Sequence, residues 1–247
     1  MRFCIRRQID FSNSNGKLKN LQGIPIELAF PPDVNEFQSG RDRLVDVERQ
    51  VKSCRVPVYS VHAPEGCLAN KAFLDWAGKS VQFAEAVGAG IVVLHPEKEQ
   101  PGAGATADCS ALDNIRHLQD RTQVRIAVET FWDTSRVLPP DMIMGNQIPM
   151  VLDTSRLPKS EITWVIETYH THIVNIHLSA VTRDQGLKGI ARQHQPIDRD
   201  GFCMDLLDRL QELAWNGVIT LEYMPWLHEK VLEDRKLLER IYGPQKL

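Results

Sequence analysis

Six short apolar runs in this chain each finish on His, Asp or Glu: Val58-Tyr59-Ser60-Val61-His62, Ile91-Val92-Val93-Leu94-His95, Val124-Arg125-Ile126-Ala127-Val128-Glu129, Met150-Val151-Leu152-Asp153, Ile173-Val174-Asn175-Ile176-His177 and Val218-Ile219-Thr220-Leu221-Glu222. A near-continuous apolar run of β-branched residues is the mark of a parallel strand buried on both faces. Such a strand has no reason to close on an ionisable group unless a site collects at its C-terminal end, which is where a (β/α)8 barrel builds one.

The segments between these runs agree. Residues 2–9 read as a first strand, followed by a polar, Asn-rich and nearly helix-free stretch over 12–20. Residues 23–30 read as a second strand that carries Glu27 within it; Pro31-Pro32 stop it before a helix over 41–54. Phe73, Leu74, Ala77, Val81, Ala84 and Val87 recur at helical spacing within 71–87, and Gly88 and Gly90 end that helix. Further helices are expected over 108–120, near Asp141, over 160–169 with Ser160 as N-cap and Glu161 in its first turn, over 201–215 and over 226–242. The glycine-rich loop 100–104 lacks the spacing of a phosphate-binding motif and reads as a flexible rim loop. A long loop over 179–200, holding Arg183, Arg192 and His194, is expected to cross the top of the barrel. Eight strand signals alternating with helical ones in 247 residues predict an α/β chain, a single (β/α)8 TIM barrel with one domain over 1–247.

Composition narrows the function. A net charge of -3, a pI near 6.2 and the lack of a basic stripe argue against nucleic acid as the main partner. The start of the chain has no apolar signal core, and nowhere do about 18 apolar residues run together as a membrane span requires, so a cytoplasmic protein without a membrane partner is expected. Five cysteines, odd in number and without a Cys-x-x-Cys pair, read as reduced thiols.

If the last four of the six strands are neighbours in a barrel, Glu129, Asp153, His177 and Glu222 converge at its mouth. Three carboxylates that close cannot all ionise without a cation between them. Oxygen and imidazole donors without thiolate suit Mn²⁺, Mg²⁺, Co²⁺ or Zn²⁺. His62 and His95 read either as further ligands or hydroxyl-binding groups, or as histidines hydrogen-bonded at strand ends. Trp132 and Trp226 follow the two glutamate-bearing strands; they either wall the pocket or pack under the loops.

The ordered motifs His62-Ala-Pro, His95-Pro-Glu, Glu129-Thr, Leu152-Asp-Thr-Ser, His177-Leu-Ser, His194-Gln-Pro-Ile and Leu221-Glu-Tyr resemble the xylose isomerase-like TIM-barrel superfamily over nearly the whole chain. That group joins sugar isomerases and epimerases to endonuclease IV-type nucleases. The resemblance implies one divalent metal on Glu129, Asp153, His177 and Glu222, with Glu129 and Glu222 exchanging the substrate proton through a metal-bound enediolate. Arg183, six positions after the metal His, would hold the substrate. The implied ligand is a small-molecule sugar, sugar acid or sugar phosphate, and a homodimer is common in the family. An alternative is an endonuclease IV-like phosphoesterase or hydrolase, and another is a catalytically silent metabolite-binding barrel.

Against the three-zinc cluster of the nuclease branch, His62, His95, Glu129, Asp153, His177, His194 and Glu222 match ligand positions, whereas Arg156 and Arg192 stand where two ligands of one metal are expected. Guanidinium does not ligate zinc, so the resemblance implies that this third ion is lost. Arg156 also replaces a substrate-binding His of many epimerases. Arg156 and Arg192 facing the mouth would make a bidentate site for carboxylate or phosphate. Alternatively, they pair with Asp198, Asp200 or Glu65.

Overall fold

Branched aliphatic side chains fill the strand interiors and leave the polar groups to the strand ends. In the computed structural model, which describes residues 1–9, 18–70, 72–96, 104–130, 140–182, 192–199 and 201–243, the strands are β1 (Arg2–Gln8), β2 (Ile26–Ala29), β3 (Val58–Gly66), β4 (Ile91–Pro96), β5 (Arg125–Thr130), β6 (Met150–Asp153), β7 (Ile173–Leu178) and β8 (Val218–Leu221). They follow one another in chain order as a closed barrel of parallel strands, the (β/α)8 fold that the strand pattern predicts. The helices are α1 (Val34–Gly40), α2 (Leu44–Cys54), α3 (Phe73–Val87), α4 (Gly104–Gln119), α5 (Pro140–Gly145), α6 (Lys159–Tyr169), α7 (Phe202–Glu212) and α8 (His228–Tyr242). The chain packs as two compact units, Met1–Arg6 with Met150–Leu247, and Arg7–Pro149.

In the first unit β6, β7, β8 and the start of β1 lie side by side. Ile162, Val165, Ile166 and Tyr169 of α6, Leu206, Leu207 and Leu210 of α7, and Val231 and Leu238 of α8 are buried. Their spacing of three, four or seven residues puts one apolar stripe on each helix. Trp215, just beyond α7, donates its indole N–H to the carbonyl of Ile173 at 2.9 Å, and Arg235 of α8 donates to the carbonyl of Phe3 at 3.3 Å.

In the second unit β2 to β5 pair in parallel, with register shifts between Ile26 and Glu27 of β2 and between His62 and Glu65 of β3. Phe30 packs against Phe37 and Phe83, with ring centroids 4.6 and 5.3 Å away. Helix α3 ends as expected at Gly88, whose φ of 75° is the left-handed conformation that closes a helix without a Cβ penalty. Gly66, at the end of β3, has a different reason to be glycine. A Cβ there would stand 2.3 Å from Cζ2 of the buried Trp76 ring. Gly66→Ala is expected to cost about 1–3 kcal/mol by overpacking, seen as a fall in Tm on thermal denaturation; an unchanged Tm would mean the ring moves freely.

Several local expectations are corrected. Of the helix expected over 41–54, Arg41–Arg43 form a 3-10 turn and α2 runs from Leu44, while α1 precedes the expected range. Helix α1 begins directly after the prolines because the Asp33 carboxylate accepts the N–H groups of Asn35 (2.6 Å) and Glu36 (3.4 Å). Ser160 is not the N-cap of α6. Pro158 holds that position at φ -58°, ψ 143° without a side-chain cap bond, and the helix starts at Lys159. Helix α7 stops at Glu212 rather than at 215, before Ala214 turns left-handed at φ 52°. Helix α4 begins at Gly104, and a 3-10 turn, Pro225–Leu227, precedes α8. Residues 10–17 and 100–103, in the expected helix-free crossover and rim loop, lie outside the described residues. Among the described residues no helix is long and apolar enough to cross a membrane. All five cysteines are free thiols.

Candidate metal centre

Strand register builds the site in the first unit. Asp153 stands opposite His177, His177 opposite Thr220, and Ile5 opposite Leu221. The next residues along, Arg6 and Glu222, therefore stand side by side at the ends of β1 and β8. Side chains two residues apart share a face, so a polar layer of Cys4, Asn175 and Thr220 lies beneath. There Cys4 Sγ lies 3.0 Å from Thr220 Oγ1, and Thr220 Oγ1 donates to Asn175 Oδ1 at 2.9 Å. All three are buried.

Asp153 is buried and well held. Its Oδ1 accepts the N–H of Ser155 at 2.8 Å, and its Oδ2 accepts Ser155 Oγ–H and Arg156 Nε–H, both at 3.0 Å. Arg156 also donates to Gln193 Oε1 at 3.2 Å. Glu222 Oε1 accepts a bond from Arg6 Nη1. Its Oε2 lies 3.0 Å from His177 Nδ1, off the axis of a hydrogen bond, and His194 Nδ1 lies 3.7 Å from Oε1. Burial raises the proton affinity of Glu222, but Arg6 first, then His194 and His177, outweigh it and hold the carboxyl well below the usual carboxylate range.

His194 reaches this cluster through a strained backbone. Its φ of 52° is left-handed, a conformation that costs a non-glycine residue on the order of 1 kcal/mol and persists only when the surroundings enforce it. Here the His194 carbonyl accepts the N–H of Met224 at 2.9 Å, and Gln195 exchanges two backbone bonds with Ala180 at 2.9 and 3.0 Å. One turn further on, the Tyr223 hydroxyl accepts the N–H of Ile197 (2.9 Å) and donates to buried Asp234 (3.0 Å). Arg199 and Lys230 approach the same Asp234 carboxylate at 2.8 and 3.1 Å. Burial, with Asp234 adding to it, pushes the Tyr223 hydroxyl far above its ordinary range, so it stays a donor.

The donor set fits a divalent cation. Asp153, His194 and Glu222 each offer one ligand atom, all within 4.8 Å of one another. Glu222 Oε2 and His194 Nδ1 are buried without a hydrogen bond among the described residues, a cost of about 1–3 kcal/mol each that a shared cation would remove. His177, on the neighbouring strand, lies beside Glu222.

The second unit carries its own cluster at the ends of β3, β4 and β5. The carbonyl of Ala63 can only accept, so at 3.0 Å His62 Nδ1–H donates to it. That bond turns Nε2 toward Glu129 Oε2, also at 3.0 Å, with both residues buried. With Nδ1–H committed to Ala63, Nε2 and the carboxylate oxygen face each other at a spacing that a shared cation could also bridge. The His95 ring lies 5.7 Å from that of His62, and its Nδ1 is 3.6 Å from Glu65. Glu27, buried in β2, accepts a bond from Ser60 at 2.7 Å.

Other expected site residues fall elsewhere. Arg156 holds Asp153, one of the cluster's own carboxylates, and Asp200 lies outside the described residues. Arg192 is exposed, with Nε 3.4 Å from the carbonyl of Thr182. Trp226 is 65% exposed and so is not packed under a loop. Trp132 and Arg183 lie outside the described residues. Asp198 caps α7 by accepting the N–H of Cys203 at 3.0 Å and pairs with Lys159. Arg6 and Gln193 were not among the expected site residues. A cation at the end of the first strand, level with the acid that closes the eighth, was the signal for Arg6.

No family model matches the chain, and no curated protein matches it. Solved structures do. An IOLI protein with a bound zinc atom is similar over 97% of this chain and 96% of its own, with a TM-score of 0.70 at 16% identity. A D-tagatose 3-epimerase-like protein matches over 97% and 96%, with a TM-score of 0.66 at 13% identity. A family 2 AP endonuclease from Brucella melitensis matches over 92% and 98%, with a TM-score of 0.63 at 13% identity. At these identities the likeness is one of fold, the closed (β/α)8 barrel described above.

Proposed function

We propose that the chain is a metal-dependent isomerase or epimerase acting on a sugar or sugar-derived substrate. The observation that carries this reading is the cluster of Asp153, His194 and Glu222, with two buried donor atoms left without hydrogen bonds at the end of a barrel of this fold. Asp153, His194 and Glu222 would hold a divalent cation, with His177 beside them, and Mn²⁺, Mg²⁺, Co²⁺ or Zn²⁺ would supply a Lewis acid for the substrate oxygens. Glu222, kept ionised by Arg6, is the carboxylate that takes the proton from carbon. Glu129 is the candidate for the second proton-transferring carboxylate on its position at the end of β5. Asp153, fixed by Ser155 and Arg156, keeps one orientation throughout. Arg183 and Arg192 are the candidate cations for a carboxylate or phosphate on the substrate.

The test is deuterium uptake from solvent into a panel of ketoses, aldoses and sugar acids, with metal content measured on the same sample. Exchange at the carbon beside the carbonyl is expected in at least one of them; it should stop on chelation and return on adding metal. Metal-loaded protein that exchanges nothing in the panel sinks this reading. A second reading, a phosphoesterase, is favoured by the 3.0 Å approach of His62 Nε2 to Glu129 Oε2, which suits a further ion. Cleavage of abasic-site DNA would select it.

A further inference from the structure

We infer that Arg6 is a built-in counter-ion that competes with a divalent cation for the Glu222 carboxylate, lowering the metal affinity of the site while stabilising the metal-free fold. This rests on the metal reading above and adds a residue to it. The register of β1 on β8 places the Arg6 guanidinium against Glu222 Oε1, and Glu222 belongs to the ligand cluster with Asp153 and His194. Guanidinium and metal ion thus seek the same carboxylate, and two cations on one anion repel.

The two arginines of the site are about equally exposed, Arg156 at 26% and Arg6 at 24%, and differ in where along the chain they come from. Arg156 lies three residues from Asp153 and is tied on its other side to Gln193, so its hold is local and doubly fixed. Arg6 comes from the opposite end of the chain, and its side chain is 24% exposed against 12% for Glu222. It therefore has water to turn toward when its partner is taken, and an arginine can swing out while its stem stays packed. Without a cation of either kind, Glu222 would be a nearly buried charge beside a second buried carboxylate, which is strongly destabilising. Arg6 removes that penalty, and it is the largest influence lowering the proton affinity of Glu222.

Arg6→Met separates the two effects because they have opposite signs. In metal-stripped protein the variant should melt several degrees lower than wild type. In calorimetric titration with Zn²⁺ alone it should bind on the order of 10-fold more tightly, and saturating Zn²⁺ should close the gap in Tm. Arg6→Lys, which keeps the charge, should stay near wild type in both. A variant that binds Zn²⁺ no more tightly, or more weakly, overturns the proposal, since Arg6 would then only orient Glu222. A wild type that binds no divalent cation fails the metal reading instead. Should Arg6→Met not fold, nitrogen NMR of the wild type decides. The Arg6 Nε resonance should shift and its N–H exchange quicken as Zn²⁺ is added; an unmoved resonance with Zn²⁺ bound overturns the proposal.

Discussion

Glu222→Gln is expected to reduce metal-dependent proton exchange to about a thousandth of the wild-type rate or less, because general base catalysis by a positioned carboxylate is worth roughly 10²–10⁴-fold and the amide also loses a charged ligand. The side chain is isosteric, and its surroundings remain: Arg6 on one oxygen, His177 3.0 Å from the other, His194 at 3.7 Å. Folding should survive. The measurement is the exchange rate at saturating metal, with Zn²⁺ affinity determined in parallel. A variant with normal affinity and lost exchange makes Glu222 chiefly a base. One with lost affinity that regains exchange at high metal makes it chiefly a ligand. Retained exchange at ordinary metal concentration would remove Glu222 from the chemistry altogether.

The second large effect is on stability, at Asp234, which has no exposed surface and three partners. Counting its ion pairs would mislead. The Arg199 side chain is 48% exposed and that of Lys230 34%, so both charges return to water if the carboxylate is removed, and such pairs contribute little. What Asp234→Ala cannot repair is the half-buried Tyr223 hydroxyl, which is locked as a donor and loses its acceptor. With the cavity added, the cost is about 2–3 kcal/mol, a fall in Tm on the order of 5–10 °C for a chain of this size. Arg199→Ala should leave Tm nearly unchanged. Equal effects of the two substitutions would mean that the ion pair, not the tyrosine, carries the energy. The Tyr223 hydroxyl also holds the N–H of Ile197, three residues from strained His194, so Asp234→Ala should weaken Zn²⁺ binding as well.

Much of this architecture is legible in the sequence because the strands are buried on both faces. An apolar run that stops on an acid or a histidine announces both its direction and its working end, as Met150–Asp153 shows. Helix starts are less legible. Asp33 opens α1 by accepting two backbone N–H groups, but the pair of prolines before it reads as a stop. Ser160 reads as a cap, yet the proline two residues earlier presets the backbone. In the site, the residues that stay hidden are those defined by partners across strands. Arg6 is an ordinary strand-one cation until the register sets it against Glu222, and Asn175 and Thr220 look like minor polar lapses in apolar strands until they bond to each other. Arg156 shows the reverse. Its charge is plain in the sequence, but its tie to Asp153 is not.

The buried layer of Cys4, Thr220 and Asn175 has a direction. A hydroxyl has one proton, and Thr220 gives its proton to Asn175 Oδ1, so the bond to Cys4 is donated by the thiol. The three side chains are thus a one-way relay from S–H through O–H to an amide carbonyl, ending two residues below His177. Removing the Thr220 hydroxyl takes the acceptor from the Cys4 thiol and the donor from Asn175 Oδ1 together, so the three positions are energetically coupled. Substitutions at these positions are therefore expected to be non-additive, a coupling that a double-mutant cycle on Cys4 and Thr220 would read directly.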